Sequence, residues 1–249
     1  MDIGLGNSLD KFARSINLKH PGGPKVEQLA KSSKSFIKLP YTVKGMDLFY
    51  SGLSTAATRM IINKNENIND VCYSYQEVAF AMVVEVVERA LSLTKKKEVL
   101  LVGGVGANLR LQEMLLKMCN ERKCLFFVPK SLYLGDNGIM IANTGLSMYK
   151  HNIFLDIKSS IVDPTYRTDL VTIPWRNEYI KKNDNIINDG AEAKIYKISI
   201  NQKEYIIKDR IQKKYRINIL DNYLRKTRTK NEVKIILEVR KIGIRTPII

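Results

Sequence analysis

The residues best placed to do chemistry lie in "VGGVGAN", positions 102–108. An apolar run, Val99–Val102, meets three glycines, and Asn108 stands where an amphipathic helix pattern begins. A glycine-backed turn that opens a helix lets backbone N–H groups approach a phosphate or a nucleoside, and the helix start favours anions. Asn108 suits a helix cap, a ligand donor, or both. Two phosphate motifs fail here. Gly104 and Gly106 match the first glycines of G-x-G-x-x-G, but position 109 is Leu, and Lys123 and Cys124 occupy the region where the acidic ribose partner belongs. No Gly-Lys-Ser/Thr follows to make a P-loop. Tight strand–helix packing, with Asn108 as a cap alone, is the alternative.

The remaining reactive side chains are scattered. Cys72, Cys119 and Cys124 have no C-x-x-C spacing, which points to free thiols rather than a disulfide framework or zinc site. His20 and His151 are isolated and form no H-x-x-x-H pair. The net charge is +16 and the pI about 9.7. That surplus suits a polyanion such as RNA, although a Lys-, Ile- and Asn-rich composition also follows from an AT-rich genome. No apolar stretch reaches the roughly 18 residues of a membrane span. The N-terminal residues lack the order of a signal peptide, so a soluble, cytoplasmic protein is expected.

Positioning these residues requires alternating elements. Leu9, Phe12, Ala13 and Ile16 recur at helical spacing. "HPGGP" makes a turn, and a helix is expected from Val26 to about Lys34. Residues 36–53 read as strands and turns. A long helix is expected from about Tyr75 to Leu93, then the glycine turn and its helix, a strand at 124–128, and a helix after "GDNG" at 135–138. This alternation predicts an α/β fold. From about 156 the texture becomes that of a linker or docking strand. "AKIYKISI" and "YIIK" then read as a hairpin, and a basic stretch leads into a helix carrying Val233, Ile236 and Leu237.

Several segments carry a family resemblance. "DIGLGNSLDKFAR", "PGGPKVEQLA", "LPYTVKGMDLFYSGL", "VCYSYQEVAFAMVVEVVERA", "VGGVGANLRLQEM" and "GDNGIMIANTGLSMY" resemble, in order, the second half of the tRNA threonylcarbamoyltransferase family. That family was once described as O-sialoglycoprotein endopeptidase. "DPTYRTDLVTIPWR" is similar to the tail that follows this domain in archaeal-type members. "GAEAKIYKISINQKEYIIKDRI" and the basic helix after it resemble the N-lobe of the small atypical kinase of the KEOPS complex. The resemblance implies the second half of an actin-like ATPase (ASKHA) domain over 1–155, a linker or docking segment over 156–180, and an incomplete kinase-like N-lobe, β-rich plus its helix C, over 181–249.

The implied reaction moves a threonylcarbamoyl group from threonylcarbamoyl-AMP to N6 of the adenosine 3′ to the anticodon. By resemblance, Asp10, Gly23, Glu27 and Asn108 line the adenylate site. Asp136 is the metal-ligand aspartate, for iron or zinc (Fe2+ or Zn2+), and no catalytic residue is assigned. In the kinase-like part, Lys208 meets ATP phosphates, Glu232 holds that lysine, and Gly190 stands for the glycine loop, with Mg2+ accompanying ATP. Asp136 also fits a plain N-cap, Asp10 a solvated carboxylate, Glu27 an exposed helix position, and Lys208 a strand lysine reaching for solvent. Between Lys208 and Lys234 ten basic residues face three acidic ones. That stretch suits contact with tRNA, contact with the transferase-like part, or a solvated face.

The implied partners are tRNA and other KEOPS subunits, with no membrane. On this resemblance the chain is a fragment, without the family's first phosphate loop and histidine pair and without the later kinase aspartates, and so inactive by itself. It would bind the family metal weakly or not at all. A non-catalytic scaffold of a KEOPS-like assembly is the second expectation. A generic RNA-binding protein is the third.

Overall fold

The computed structural model describes residues 2–162, 164, 165, 173, 193–200 and 203–241. The chain divides into two compact units, residues 1–128 with 188–249, and residues 129–187. The first unit holds helices α1 (Leu5–Ser15), α2 (Gly22–Lys31), α3 (Ser51–Ile62), α4 (Ile68–Thr94), α5 (Leu109–Arg122) and α7 (Asn218–Lys241). Its strands are β1 (Val43–Lys44), β2 (Asp47–Leu48), β3 (Glu98–Leu100), β4 (Leu125–Phe127), β5 (Lys194–Ile200) and β6 (Lys203–Asp209). Helix α6 (Gly138–Lys150) belongs to the second unit. The fold is α/β. Among the described residues no helix is long and apolar enough to cross a membrane.

Helix α4 is the axis of the first unit. Residues 74–82 are buried without a break, so protein surrounds the helix on all sides. Asn67 caps its start by accepting from Asn69 N, and Lys95, in the left-handed region, ends it. That cap starts the helix ahead of the expected Tyr75. Helix α1 presents Leu9, Phe12 and Ala13 to the core, and the Phe12 ring stacks on Tyr75 at 4.3 Å. The Ser8 and Ser54 hydroxyls meet the Tyr75 hydroxyl at 2.5 and 2.9 Å, joining α1, α3 and α4 through satisfied buried polar atoms. Cys72 and Cys119 are buried free thiols, and burial pushes Cys72 up to about 12 and Cys119 up to about 11, so both stay protonated.

The parallel pair β3–β4 is joined through α5, the crossover that parallel strands require. Val99 pairs with Phe126, and both pack on the core, while Leu100, Leu125 and Phe127 are exposed. Strands β5 and β6 form the expected antiparallel hairpin, with Ile200 opposite Lys203. Residues 36–53, expected as strands and turns, supply only β1 and β2, and their last three residues open α3. From Asn218 onward the basic stretch before Val233 is itself helical, because α7 starts there. In the second unit Asn137 caps α6 by accepting from Met140 N at 3.0 Å. Of the expected linker, Ile157–Ser159 form a short 3-10 turn; most of the rest lies outside the described residues.

Helix α2 begins at Gly22, not at Val26, for a reason that lies on α1. The N-cap residue Pro21 offers no capping side chain. Asp10 Oδ1 instead accepts from Gly22 N at 2.7 Å, placing a carboxylate at the helix start. The helices approach so closely that a Cβ at Gly22 would lie 2.4 Å from Ala13 Cβ and 2.9 Å from Asp10 Oδ1. At Gly23 an added Cβ meets nothing nearer than Leu9 Cδ1, at 4.0 Å. Gly22→Ala is therefore expected to destabilise the full chain by about 1–3 kcal/mol through overpacking. Gly23→Ala should leave stability unchanged or raise it by up to about 1 kcal/mol. Urea unfolding of the two variants checks the contrast.

Candidate functional site: a glycine turn and the carboxylates around it

The glycine turn is built as the sequence suggests. Gly103, at φ +90°, takes a conformation that a side chain would strain. Gly104–Ala107 form one 3-10 turn, and Asn108 returns to extended backbone before α5 begins. Asn108 Oδ1 accepts from Arg110 N at 2.9 Å and Leu111 N at 3.2 Å, so it is the N-cap. Its Nδ2 donates to Gln76 Oε1 at 2.9 Å. A carboxamide nitrogen carries two hydrogens, so one N–H is left over for a further acceptor. Gln76 and Asn108 are both buried.

A second bond locks the turn to α4. Arg110 Nε and Nη2 reach the two oxygens of Glu77 at 2.6 and 2.8 Å, a bidentate pair. Burial works against the Arg110 charge, yet the Glu77 carboxylate holds its pKa above the ordinary arginine value. The first turn of α1 lies alongside: a Cβ at Gly6 would sit 3.4 Å from Val105 Cγ2. Gln76 and Gly22 are absent from the sequence-derived set. Their signals are a polar residue inside an apolar helix and the doubled glycine.

The remaining assigned residues fall in different settings. Asp10 is half-buried and tied to Gly22 N, with its Oδ2 3.6 Å from His20 Nδ1, so it is not a freely solvated carboxylate. Glu27 is 17% exposed and pairs with Lys31 at 3.1 Å. Asp136 is exposed, and the cap role falls to Asn137 instead; among the described residues no hydrogen bond or ion pair engages the Asp136 carboxylate. Among the described residues no three His, Cys, Asp or Glu side chains gather as a metal site. Among the described residues the donor set does not fit a metal ion.

In the hairpin part, Lys208 Nζ lies 2.5 Å from Glu232 Oε1, and Arg210 Nη2 lies 2.6 Å from Glu232 Oε2. The hydrogen bond from Lys208, opposed by partial burial and assisted by Arg210, holds the Glu232 carboxyl below the usual carboxylate range. Gly190 lies outside the described residues.

The basic stretch is not simply a solvated face, because several of its cations turn into α4. Arg216 Nη2 reaches Glu85 at 2.5 Å, and Arg228 Nη2 reaches the same carboxylate at 2.9 Å. Tyr41 OH and Arg89 also donate to Glu85, at 2.6 and 2.7 Å. Lys213 Nζ and Arg122 Nε meet Glu88 at 2.5 and 2.8 Å. Burial disfavours the Arg216 charge, but Tyr41, Tyr215, Glu85 and Asp221 keep its pKa raised.

The profile of the family described as "TsaD: tRNA N6-adenosine threonylcarbamoyltransferase" matches residues 1–143. The chain belongs to this family. It is similar to proteins named "Probable bifunctional tRNA threonylcarbamoyladenosine biosynthesis protein" along its whole length. With that of Methanosarcina barkeri (strain Fusaro / DSM 804) it shares 50% identity over 262 residues, covering 100% of the chain and 48% of the relative. With that of Methanocaldococcus jannaschii it shares 47% identity over 253 residues, covering 100% and 47%. With that of Methanobrevibacter smithii it shares 50% over 254 residues, covering 100% and 46%. The chain thus spans about half the length of the curated relatives it matches.

The threonylcarbamoyltransferase-family turn carries its own stability test. Asn108→Ala should lower the unfolding free energy by about 1–2 kcal/mol, through the lost cap and an orphaned Gln76. Asn108→Asp keeps the capping oxygen and lets Gln76 turn its amide toward the new carboxylate, so it should lose less. Chemical denaturation of the two variants measures the difference.

Proposed function

We propose that this chain forms one wall of the adenylate cleft of a tRNA N6-adenosine threonylcarbamoyltransferase. The protein containing it transfers threonylcarbamoyl from threonylcarbamoyl-AMP to N6 of the adenosine 3′ to the anticodon, in tRNAs reading codons that begin with A. The observation that carries this is Asn108: a buried side chain at a glycine turn, fixed by two backbone N–H groups and Gln76, with one amide hydrogen left for a nucleoside acceptor. The Oδ2 edge of Asp10 suits acceptance from a ribose hydroxyl, and the missing side chain at Gly23 suits close approach of the adenylate. Glu27, beside them on α2, completes the set. These residues bind and orient; holding the adenylate still lowers the entropic cost of transfer.

The family metal, iron or zinc, is proposed to touch Asp136 only together with donors outside the described residues, and no step is routed through it. The hairpin and α7 are proposed to be a kinase-like N-lobe, in which Lys208, held by Glu232, meets the phosphates of ATP accompanied by Mg2+, with Gly190 in its loop. Boundaries near 155 and 181 separate the transferase-like domain, the linker and this lobe. The proposed setting is cytoplasmic, with tRNA and other KEOPS subunits as partners. The cations turned into α4 favour a second reading, in which the joined parts act as a scaffold for such an assembly.

In the full-length protein, Asn108→Ala and Asp136→Ala are each expected to cut threonylcarbamoyladenosine formation by more than a hundredfold. Mass spectrometry of digested tRNA reads this, and wild-type yields from folded variants would refute the assignment. Lys208→Ala should abolish ATP hydrolysis while thermal melting stays near wild type; unchanged hydrolysis would remove the kinase-like reading of that lysine.

A further inference from the structure

The segment 210–228 brings a dense set of cations into the first unit, and each of them that pairs with a carboxylate shares it with another cation. Among the described residues, Glu85, Glu88, Asp221 and Glu232 together hold eight cationic partners, twice their own number. Five of those cations, Arg210, Lys213, Arg216, Arg225 and Arg228, surround one small cavity of about 10 Å³ together with Ile211. Such a volume admits one atom-sized group.

Arg216 decides what that group must be. Its side chain is 4% exposed, its Nη2 is committed to Glu85 and its Nη1 lies 3.5 Å from Asp221. Its Nε is buried and has no hydrogen-bond partner among the described residues. A buried donor left unpaired costs about 1–3 kcal/mol, and more when it is charged, so the atom calls for an acceptor. The five cations that line the cavity favour an anionic one. Arg210 and Arg228 also line a larger cavity of about 380 Å³, with Asn231, Glu232, Ile235 and Ile236. There is room there for the body of a small oxyanion.

We infer that this cluster binds a phosphate-type oxyanion, with one oxygen directed to Arg216 and the others held between Arg210 and Arg228. Guanidinium forks match the edges of a tetrahedral oxyanion, which a compact halide does not reproduce. The bound anion joins the 210–217 loop to α7 through Arg210, Arg216 and Arg228, so it tightens the attachment of this segment by mass action. The inference does not rest on the transferase assignment. The oxyanion comes either as free phosphate or as a phosphate of a nucleotide.

The test is calorimetric titration of the full chain with inorganic phosphate at fixed ionic strength, with melting temperature followed in parallel. The expected result is saturable binding, a melting temperature that rises with phosphate, and at least tenfold weaker binding in Arg216→Gln. Where that variant fails to fold, Arg225→Gln carries the test, since Arg225 is 34% exposed and pairs at the edge of the cluster. Equal stabilisation by chloride at matched ionic strength, no saturable heat, or unchanged affinity in a folded variant would overturn the proposal. ATP added to phosphate-loaded protein separates the sources: competition assigns the site to a nucleotide phosphate, and its absence assigns it to free phosphate.

Discussion

Helix α4 takes three glutamates out of water, and everything attached to that helix answers to their charge. Glu77, Glu85 and Glu88 are each almost fully buried. A carboxylate in such a place is tolerable only with cations and hydrogen bonds around it, and removing one partner of a buried pair typically costs about 3–5 kcal/mol. Glu77 fixes the start of α5 through Arg110, which sets where the glycine turn ends. Glu85 and Glu88 draw in Arg216, Arg228 and Lys213 from more than a hundred positions along the chain. One helix thus orients both the glycine turn and the basic segment.

The candidate site inherits its order from this arrangement. Asn108 is held by the backbone it caps and by Gln76, which neighbours Glu77 on α4. Asp10 is held by the N–H it caps on α2. Each side chain proposed to face a ligand in this part already serves the fold, so its position is fixed before anything binds. The same economy means that an alanine at either place disturbs structure and binding together, and only substitutions that keep the capping oxygen separate the two effects.

How much was legible in the sequence depended on how local the cause was. The β3–turn–α5–β4 unit followed from an apolar run, three glycines and helical spacing, all within thirty residues. The β5–β6 hairpin followed from period-two alternation. Helix α3, with its small residues Gly52, Ser54, Ala56 and Ala57, has a weak pattern and owes its burial to α1 and α4. The start of α2 is set by a carboxylate on another helix, which no local pattern contains. At Asp136 and Asn137 two cap-competent residues stand side by side, and only geometry tells which one is used. The charge density of 208–234 was plain in the sequence. Its destination was not, because the partners are acids spaced through an apolar helix far upstream. The likeness to a transferase family named residues that local patterns alone left as caps or solvated charges.

The pairing of Glu85 with Arg216 spans 131 positions of sequence. On a ribosome adding roughly 5–20 residues per second, the carboxylate is made on the order of ten seconds before its partner. Through that interval Glu85 has Tyr41 and Arg89 beside it and Glu88 has Arg122, but the cover that Arg216, Arg228 and Lys213 give the two carboxylates is still to come. A segment made well after α4 therefore completes the burial of that helix, and maturation of the earlier part waits on the later one.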